Sequence, residues 1–268
     1  MLLTDVQLDR FHRDGFLIVA DALSPAEVDI LRREKDRIAA LECDCVLRQG
    51  HTVNIYRAHE LDGPTGSPAF HALARLPRIL RPVFRILKEP NTYIYNSHIF
   101  GKDAFTGAAM MWHQDYGYWR LDGVRDDNMV KVMIALGDVD DISGCVWFVP
   151  GTHKMGAVKH HADSSAQFKH WTVTPDVMSE ILRTHPAPVP LQVKAGTVAF
   201  FHGSAIHGSG HNLSAIGRWQ AYVAYNPVSN APRRVVRPDR FCSTNHTPVQ
   251  EGADDAILSA GVGGARRA

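Results

Sequence analysis

Along the first ninety residues, apolar positions recur mostly at helical spacing; beyond Pro90 they shift to short alternating runs. Thr4-Asp5-Val6-Gln7 and Ser24-Pro25-Ala26-Glu27 each set a hydroxyl at the N-cap with Gln or Glu three residues on, which predicts two capped helices. Pro25 at the first helical position strengthens the second start. That helix should run to about Leu41, with Val28, Leu31, Ile38 and Leu41 on one stripe that Lys35 interrupts. Between the two starts, Gly15–Val19 reads as a short buried strand. Residues 62–68 form a loop, and a helical stretch from about Ala69 to Leu87 should be interrupted near Pro77 and Pro82.

The later half predicts strands at Thr92–Phe100, Val130–Leu136, Cys145–Val149, Thr197–Phe201 and Arg218–Tyr225, separated by Gly, Pro and Asn turns. Several short strands with regular turn signals point to a sandwich or jelly roll. The polar, His-rich stretch 152–188 reads as an insertion, a loop with a short helix near Pro175–Thr184. From Ser243 the small and polar residues suggest a frayed or disordered tail. The expected organisation is a single domain over 1–242, helical to about 90 and β-rich over about 91–230, with 243–268 as a C-terminal tail.

Composition narrows the function classes. The 268 residues are 45% apolar and 21% charged, the balance of a soluble globular protein. Lys+Arg 29 against Asp+Glu 28 gives a net charge of +1, which offers no electrostatic case for nucleic acid or an anionic membrane. No apolar run is long enough to span a bilayer, and Asp5, Asp9, Arg10, Arg13 and Asp14 break any signal-peptide pattern. A cytoplasmic location is expected, with Cys43, Cys45, Cys145 and Cys242 as reduced thiols. Oligomeric state has no signature in the sequence.

Fifteen histidines invite a search for metal ligands. Trp112-His113-Gln114-Asp115 ends a stretch that should be extended, and strand positions i and i+2 face the same way. His113 and Asp115 would then supply two-thirds of the 2-His-1-carboxylate set of non-haem Fe(II) oxygenases. Two candidates for the distant histidine follow the run Val198–Phe201: His202 and His207. Eleven residues beyond His207, Arg218 opens the alternating strand RWQAYVAY. If Arg218 faces inward, so do Gln220 and Tyr222, while Trp219, Val223 and Tyr225 pack outward. An inward guanidinium requires an anion, and a bidentate carboxylate is its natural partner.

At this point the sequence resembles the phytanoyl-CoA dioxygenase family of Fe(II)/2-oxoglutarate oxygenases, which includes ectoine hydroxylases. The resemblance runs from Phe11-His-Arg-Asp-Gly-Phe16 through WHQD and the Gly144-to-His153 segment to Arg218. The family pattern H-x-S-x-x-N-x-S-x-x-x-R is matched at His207, Ser209, Asn212, Ser214 and Arg218. The resemblance implies a double-stranded β-helix core, with N-terminal helices packed on it. It also implies iron held by His113, Asp115 and His207, with Arg218 and Ser209 on the distal carboxylate of 2-oxoglutarate. The usual Asn-Gly-Cys/Pro element is Ser143-Gly144-Cys145 here, and Thr152 stands where the family has Ser.

The implied reaction is 2-oxoglutarate-dependent dioxygenation. O2 is the second cosubstrate, a C–H bond of a small metabolite or natural-product intermediate is hydroxylated, and succinate and CO2 are released. A same-fold halogenase would carry Ala or Gly at the carboxylate position, against Asp115. A cupin-like metal isomerase or hydrolase would leave Arg218 without an anion. His202 reads as a strand-end histidine, because only His207 has the arginine eleven residues on. His160, His161 and His170 are expected to be solvated. Trp119, Tyr116 and Tyr118, just past the carboxylate, are candidates for the substrate pocket. Asn96, mid-strand, is a candidate contact to cosubstrate or substrate. Lys131, Arg120 and Arg125 near the presumed mouth keep an acidic group on the substrate in play.

Overall fold

A computed structural model describes residues 2–163, 170–233, 235 and 237–264; the side chains of His170 and of residues 262–264 lie outside that description. The helices are α1 (Asp5–Asp14), α2 (Pro25–Ala39), α3 (Pro68–Leu73), α4 (Pro77–Leu87), α5 (Asp115–Trp119), α6 (Pro175–Thr184) and α7 (Ala256–Gly264). The strands in the first half are β1 (Phe16–Val19), β2 (Val46–Gln49), β3 (Thr52–Tyr56), β4 (Thr92–Lys102), β5 (Met110–His113) and β6 (Val130–Ala135). Those in the second half are β7 (Val146–Phe148), β8 (His160–Asp163), β9 (His170–Val173), β10 (Val189–Pro190), β11 (Val198–His202), β12 (His207–Ser209) and β13 (Arg218–Pro227).

Both capping boxes form: Thr4 and Ser24 accept from the backbone N–H groups of Gln7 and Glu27, whose side chains bond back to the cap residues. The chain leaves α1 through Gly15 at φ +85°, a left-handed turn that glycine adopts without a Cβ penalty, and enters β1 directly. Lys35, the break in the α2 stripe, is buried along its stem and holds its ammonium 4.4 Å over the Trp219 ring and against Asp36. Pro82 does not interrupt its helix. Pro77 starts α4 afresh, and the helix continues through Pro82 because Ile79, Leu80, Val83, Ile86 and Leu87 bury one whole face, outweighing the lost N–H.

Two antiparallel sheets make the core: a seven-stranded sheet in the order β1-β11-β6-β13-β4-β3-β2 and a four-stranded one in the order β10-β7-β12-β5. This is a double-stranded β-helix. Phe16, Phe100, Met133, Phe148, Phe201 and Tyr222 form one cluster drawn from both sheets, so the sheets pack face to face. The opposite face of the large sheet, with Val132, Ile134, Phe200, Ala221, Val223 and Tyr225, is covered by the helices. Strand alternation therefore divides β13: Arg218, Gln220 and Tyr222 line the interior cavity, or hydrogen-bond within it, while Ala221, Val223 and Tyr225 pack on helices.

Two regions depart from the sequence expectation. The N-terminal part is not purely helical, since β2 and β3 extend the large sheet beside β4. Residues beyond 242 do not fray over the part described. Ser243 and Val249 donate backbone N–H bonds to Tyr95 and Thr92 of β4, and α7 packs on α2 and α3 with Ile257 fully buried. Within the 152–188 insertion, α6 forms at Pro175–Thr184 as expected, preceded by the β8–β9 hairpin. No helix among the described residues is long and apolar enough to cross a membrane. The four cysteines are free thiols.

Candidate active site

The cavity between the sheets measures about 380 Å³ and is lined by side chains from both. Its floor is a pair of facing histidines. His113 ends β5, His207 opens β12, and the two are direct cross-strand partners with ring centroids 4.2 Å apart. Each ring is oriented by its own backbone: His113 Nδ1 lies 2.8 Å from the Met111 carbonyl and His207 Nδ1 2.9 Å from that of Ala205. A carbonyl only accepts, so both Nδ1 atoms carry the proton and both Nε2 atoms offer a lone pair. Burial, above all, holds both imidazoles below their ordinary pKa and therefore neutral.

Asp115 completes the group, by a different route from the one the sequence suggested. The strand ends at His113; the chain turns at Gln114, and Asp115 is the first residue of α5, where the helix N-terminus favours its charge. One potential ligand atom each from His113, Asp115 and His207 lie within 4.8 Å of one another, and all three residues are buried. Asp115 Oδ1 accepts from Lys131 Nζ at 3.0 Å, whereas Oδ2 is buried with no hydrogen-bond partner and sits 3.8 Å from His207 Nε2. Burial alone would raise this carboxyl pKa, but the Lys131 ammonium, by its charge and its hydrogen bond, overcomes it, and the pKa is held down to about 2. Two imidazole lone pairs and an orphaned carboxylate oxygen at one point suit a divalent cation, with a nitrogen-and-oxygen donor set appropriate to iron.

At the other end of the cavity Arg218 is 3% exposed. Its Nη1 donates to Gln220 Oε1, which also accepts from Tyr222 OH at 2.6 Å, while its Nε has no partner. No carboxylate lies within 4 Å of Arg218 among the described residues. Lys102, fully buried on β4, donates to Ser209 Oγ at 2.8 Å and to the Gly210 carbonyl. Burial, then the neighbouring Arg218, pushes the Lys102 pKa down to about 6. A guanidinium and an amine of lowered pKa thus share this end of the cavity with Ser209, and no acid pairs with either among the described residues.

The remaining candidates separate. Trp119 and Tyr118 line the cavity; Tyr118 OH accepts from the Trp171 N–H at 2.6 Å, and Trp119 packs edge-on against Tyr95. Tyr116 does not reach the cavity: α5 turns it away, and its hydroxyl donates to the Arg125 carbonyl at 2.8 Å. Asn96 lines the cavity and donates to the Phe241 carbonyl, leaving Oδ1 without a partner. His202 stands off the site, accepting from Ser204 N–H, with its ring tilted against that of His153 at 5.4 Å. His160 is buried rather than solvated, because the hairpin it opens folds onto the turn after β5. The expectation for the His170 side chain falls outside the described residues.

Thr152 satisfies its position in place of Ser, donating to the Val149 carbonyl and accepting from Ile206 N–H just before His207. Arg120 and Arg125 do not line the cavity, and Lys131 does so as the partner of Asp115. The sequence reading missed Lys102, described above, and Arg237. Arg237 lines the cavity and grips both oxygens of buried Asp122, Nε at 2.7 Å and Nη2 at 2.6 Å, between the rings of Tyr118 and Phe241.

A double-stranded β-helix with two imidazoles and a carboxylate in the cavity between its sheets has the donor set of the non-haem iron oxygenases. The sequence profile of the phytanoyl-CoA dioxygenase family matches residues 11–219, and the chain belongs to that family. It is 31% identical to the L-proline trans-4-hydroxylase of Streptomyces griseoviridis, over 90% of this chain and 92% of the relative. It is 27% identical to the ectoine dioxygenase of Streptomyces anulatus, over 91% and 86% of the two chains. The fold matches EctD from S. alaskensis, solved with 2-oxoglutarate and 5-hydroxyectoine, at a TM-score of 0.79 and 22% identity, covering 94% of this chain and 88% of that one. It also matches the epimerase SnoN, solved with Fe3+, alpha ketoglutarate and nogalamycin RO, at 0.71 and 22%, covering 93% and 94%. The protein is an Fe(II)/2-oxoglutarate-dependent dioxygenase, with O2 as the second cosubstrate.

Proposed function

We propose that His113, Asp115 and His207 hold the Fe(II), and that Arg218 with Lys102 and Ser209 holds the distal carboxylate of 2-oxoglutarate. The substrate in this reading is a small molecule whose own carboxylate meets Arg237. The observation that carries the reading is the pairing of two unmet needs in one cavity: Asp115 Oδ2 buried without a donor, and Arg218 buried without an acid. A buried unpaired charge costs several kcal/mol, on the order of the penalty that a bound counter-ion removes.

Iron loaded with 2-oxoglutarate and O2 supplies the oxidation of a C–H bond, with release of succinate and CO2. The chain's own residues orient and shield. The two backbone carbonyls keep both Nε2 lone pairs aimed at the metal position. Lys131 occupies one oxygen of Asp115 and leaves the other for the ion. Gln220 and Tyr222 fix the plane of the Arg218 guanidinium, so a carboxylate meets a preset fork. Phe148 and Phe201 pack on the His207 ring at 5.6 and 5.1 Å and exclude water from that side.

Asp122 neutralises Arg237 yet leaves its Nη1 without a hydrogen bond among the described residues, a donor suited to a substrate carboxylate. The relatives named for L-proline and ectoine support a small-molecule substrate of this kind. The test is a turnover screen under Fe(II) and O2 with succinate readout, over free amino acids, imino acids and their amides. Succinate released with carboxylates and lost with the matching amides is expected. Equal turnover of acid and amide would remove Arg237 from the substrate site.

A further inference from the structure

The turn between the two proposed ligands is gripped by the insertion. Gln114, fully buried, donates through Nε2 to the carbonyls of Gly156 and Ser204, both at 2.8 Å, and accepts the Val158 N–H on Oε1 at 3.0 Å. Its side chain is therefore fully used. Its backbone N–H, in the peptide that joins His113 to Asp115's neighbour, is 3.3 Å from His160 Nε2. His160 Nδ1 lies 2.8 Å from the Val158 carbonyl, so Nδ1 carries the proton and Nε2 is an acceptor. The ring sits so close to the helix that a Cβ on Gly117 would be 2.7 Å from Nε2. Only glycine at 117 lets the imidazole reach the turn.

We propose that His160 is a positioning residue: its Nε2 accepts the Gln114 N–H and fixes the peptide that sets His113 and Asp115 at their mutual angle. This rests on those two residues being ligands. The insertion that carries His160 then acts as a brace for the metal turn. Outer-shell hydrogen bonds of this kind typically change metal affinity about 10–100-fold when lost.

The experiment is an anaerobic titration with Co(II), read by the d–d absorption bands, on wild type, His113→Ala, His160→Phe, His160→Gln and Gly117→Ala. His160→Phe keeps the ring's bulk and removes the acceptor, so it should weaken Co(II) binding about 10-fold or more and shift the bands. His160→Gln restores an acceptor oxygen and should recover most of the affinity. Gly117→Ala leaves His160 in place but pushes the ring off the turn, and should mimic His160→Phe; it also stands in if that variant fails to fold. Wild-type affinity and bands in both His160→Phe and Gly117→Ala overturn the proposal. Equal loss in the Phe and Gln variants overturns it too, because ring packing rather than the acceptor would then be responsible. Loss of Co(II) binding in His113→Ala keeps the ligand assignment standing in either case, while retained binding there removes both readings.

Discussion

The two ends of the cavity each bury a cation on a strand of the large sheet, and they treat it differently. Lys131 meets the carboxylate of Asp115 at 3.0 Å and is electrically complete. Arg218 and Lys102, at the far end, meet only hydroxyl, amide and carbonyl oxygens. The first arrangement uses its cation to fix a carboxylate in place. The second leaves a guanidinium, with an amine of pKa about 6 beside it, unpaired by any acid among the described residues. A buried charge without a partner is costly, so in the proposed reading the incomplete end is the one that suits a dianionic cosubstrate.

Removing a ligand should have the largest effect on this contrast. His113→Ala should lose stoichiometric Fe(II) binding in anaerobic titration, whereas His202→Ala should bind as the wild type does. The reverse result would move the metal to the wrong histidine. With Asp115 in place, chloride should not appear in the product, as mass spectrometry would show.

Next in size is the far end. Truncating one partner of a desolvated charge pair costs about 2–5 kcal/mol, so Arg218→Ala should weaken 2-oxoglutarate roughly 30-fold or more. Fe(II) affinity should barely change. If 2-oxoglutarate binds Arg218→Ala as tightly as wild type, the contrast between the two ends disappears.

A subtler effect concerns Lys102, whose pKa is pushed from 10.5 to about 6 in the folded chain. The unfolded chain binds more protons between those values, so this group makes stability of the unliganded protein rise with pH across that window. A bound dianion favours the ammonium form. Binding of 2-oxoglutarate above about pH 6 should then take up a proton, and its affinity should fall as pH climbs. Calorimetry in buffers of different ionisation enthalpy measures the uptake, which should vanish in Lys102→Met.

The smallest effect is expected at Tyr116. Losing its bond to the Arg125 carbonyl should cost about 1 kcal/mol in urea unfolding and leave turnover unchanged. A large fall in turnover would return Tyr116 to the substrate site.

Sequence alone carried the β13 alternation and the spacing from His207 to Arg218, because strand period two is a local property of the chain. It placed Lys131 near the mouth but could not carry its pairing with Asp115. That lysine stands in the run Val130–Ala135, where every position is buried, and its partner is sixteen residues away on a helix. Arg237 was hidden for a different reason: it lies on an irregular segment after the last strand, where no periodicity marks a face. The tail misled through composition. The small residues around Ile257 look unstructured singly, yet they let α7 lie close on α2 and α3, a contact visible only in three dimensions.

His113 and His207 sit opposite one another in a strand pair, although nearly a hundred residues separate them along the chain. A slip of one residue in that pairing would turn one imidazole out of the cavity. The metal site cannot exist in a partly assembled sheet, and pairing this distant is among the slower steps of chain collapse. During refolding, the growth of metal affinity should therefore lag behind helix formation and keep time with closure of the small sheet. The ion would serve as a clock for the last act of folding.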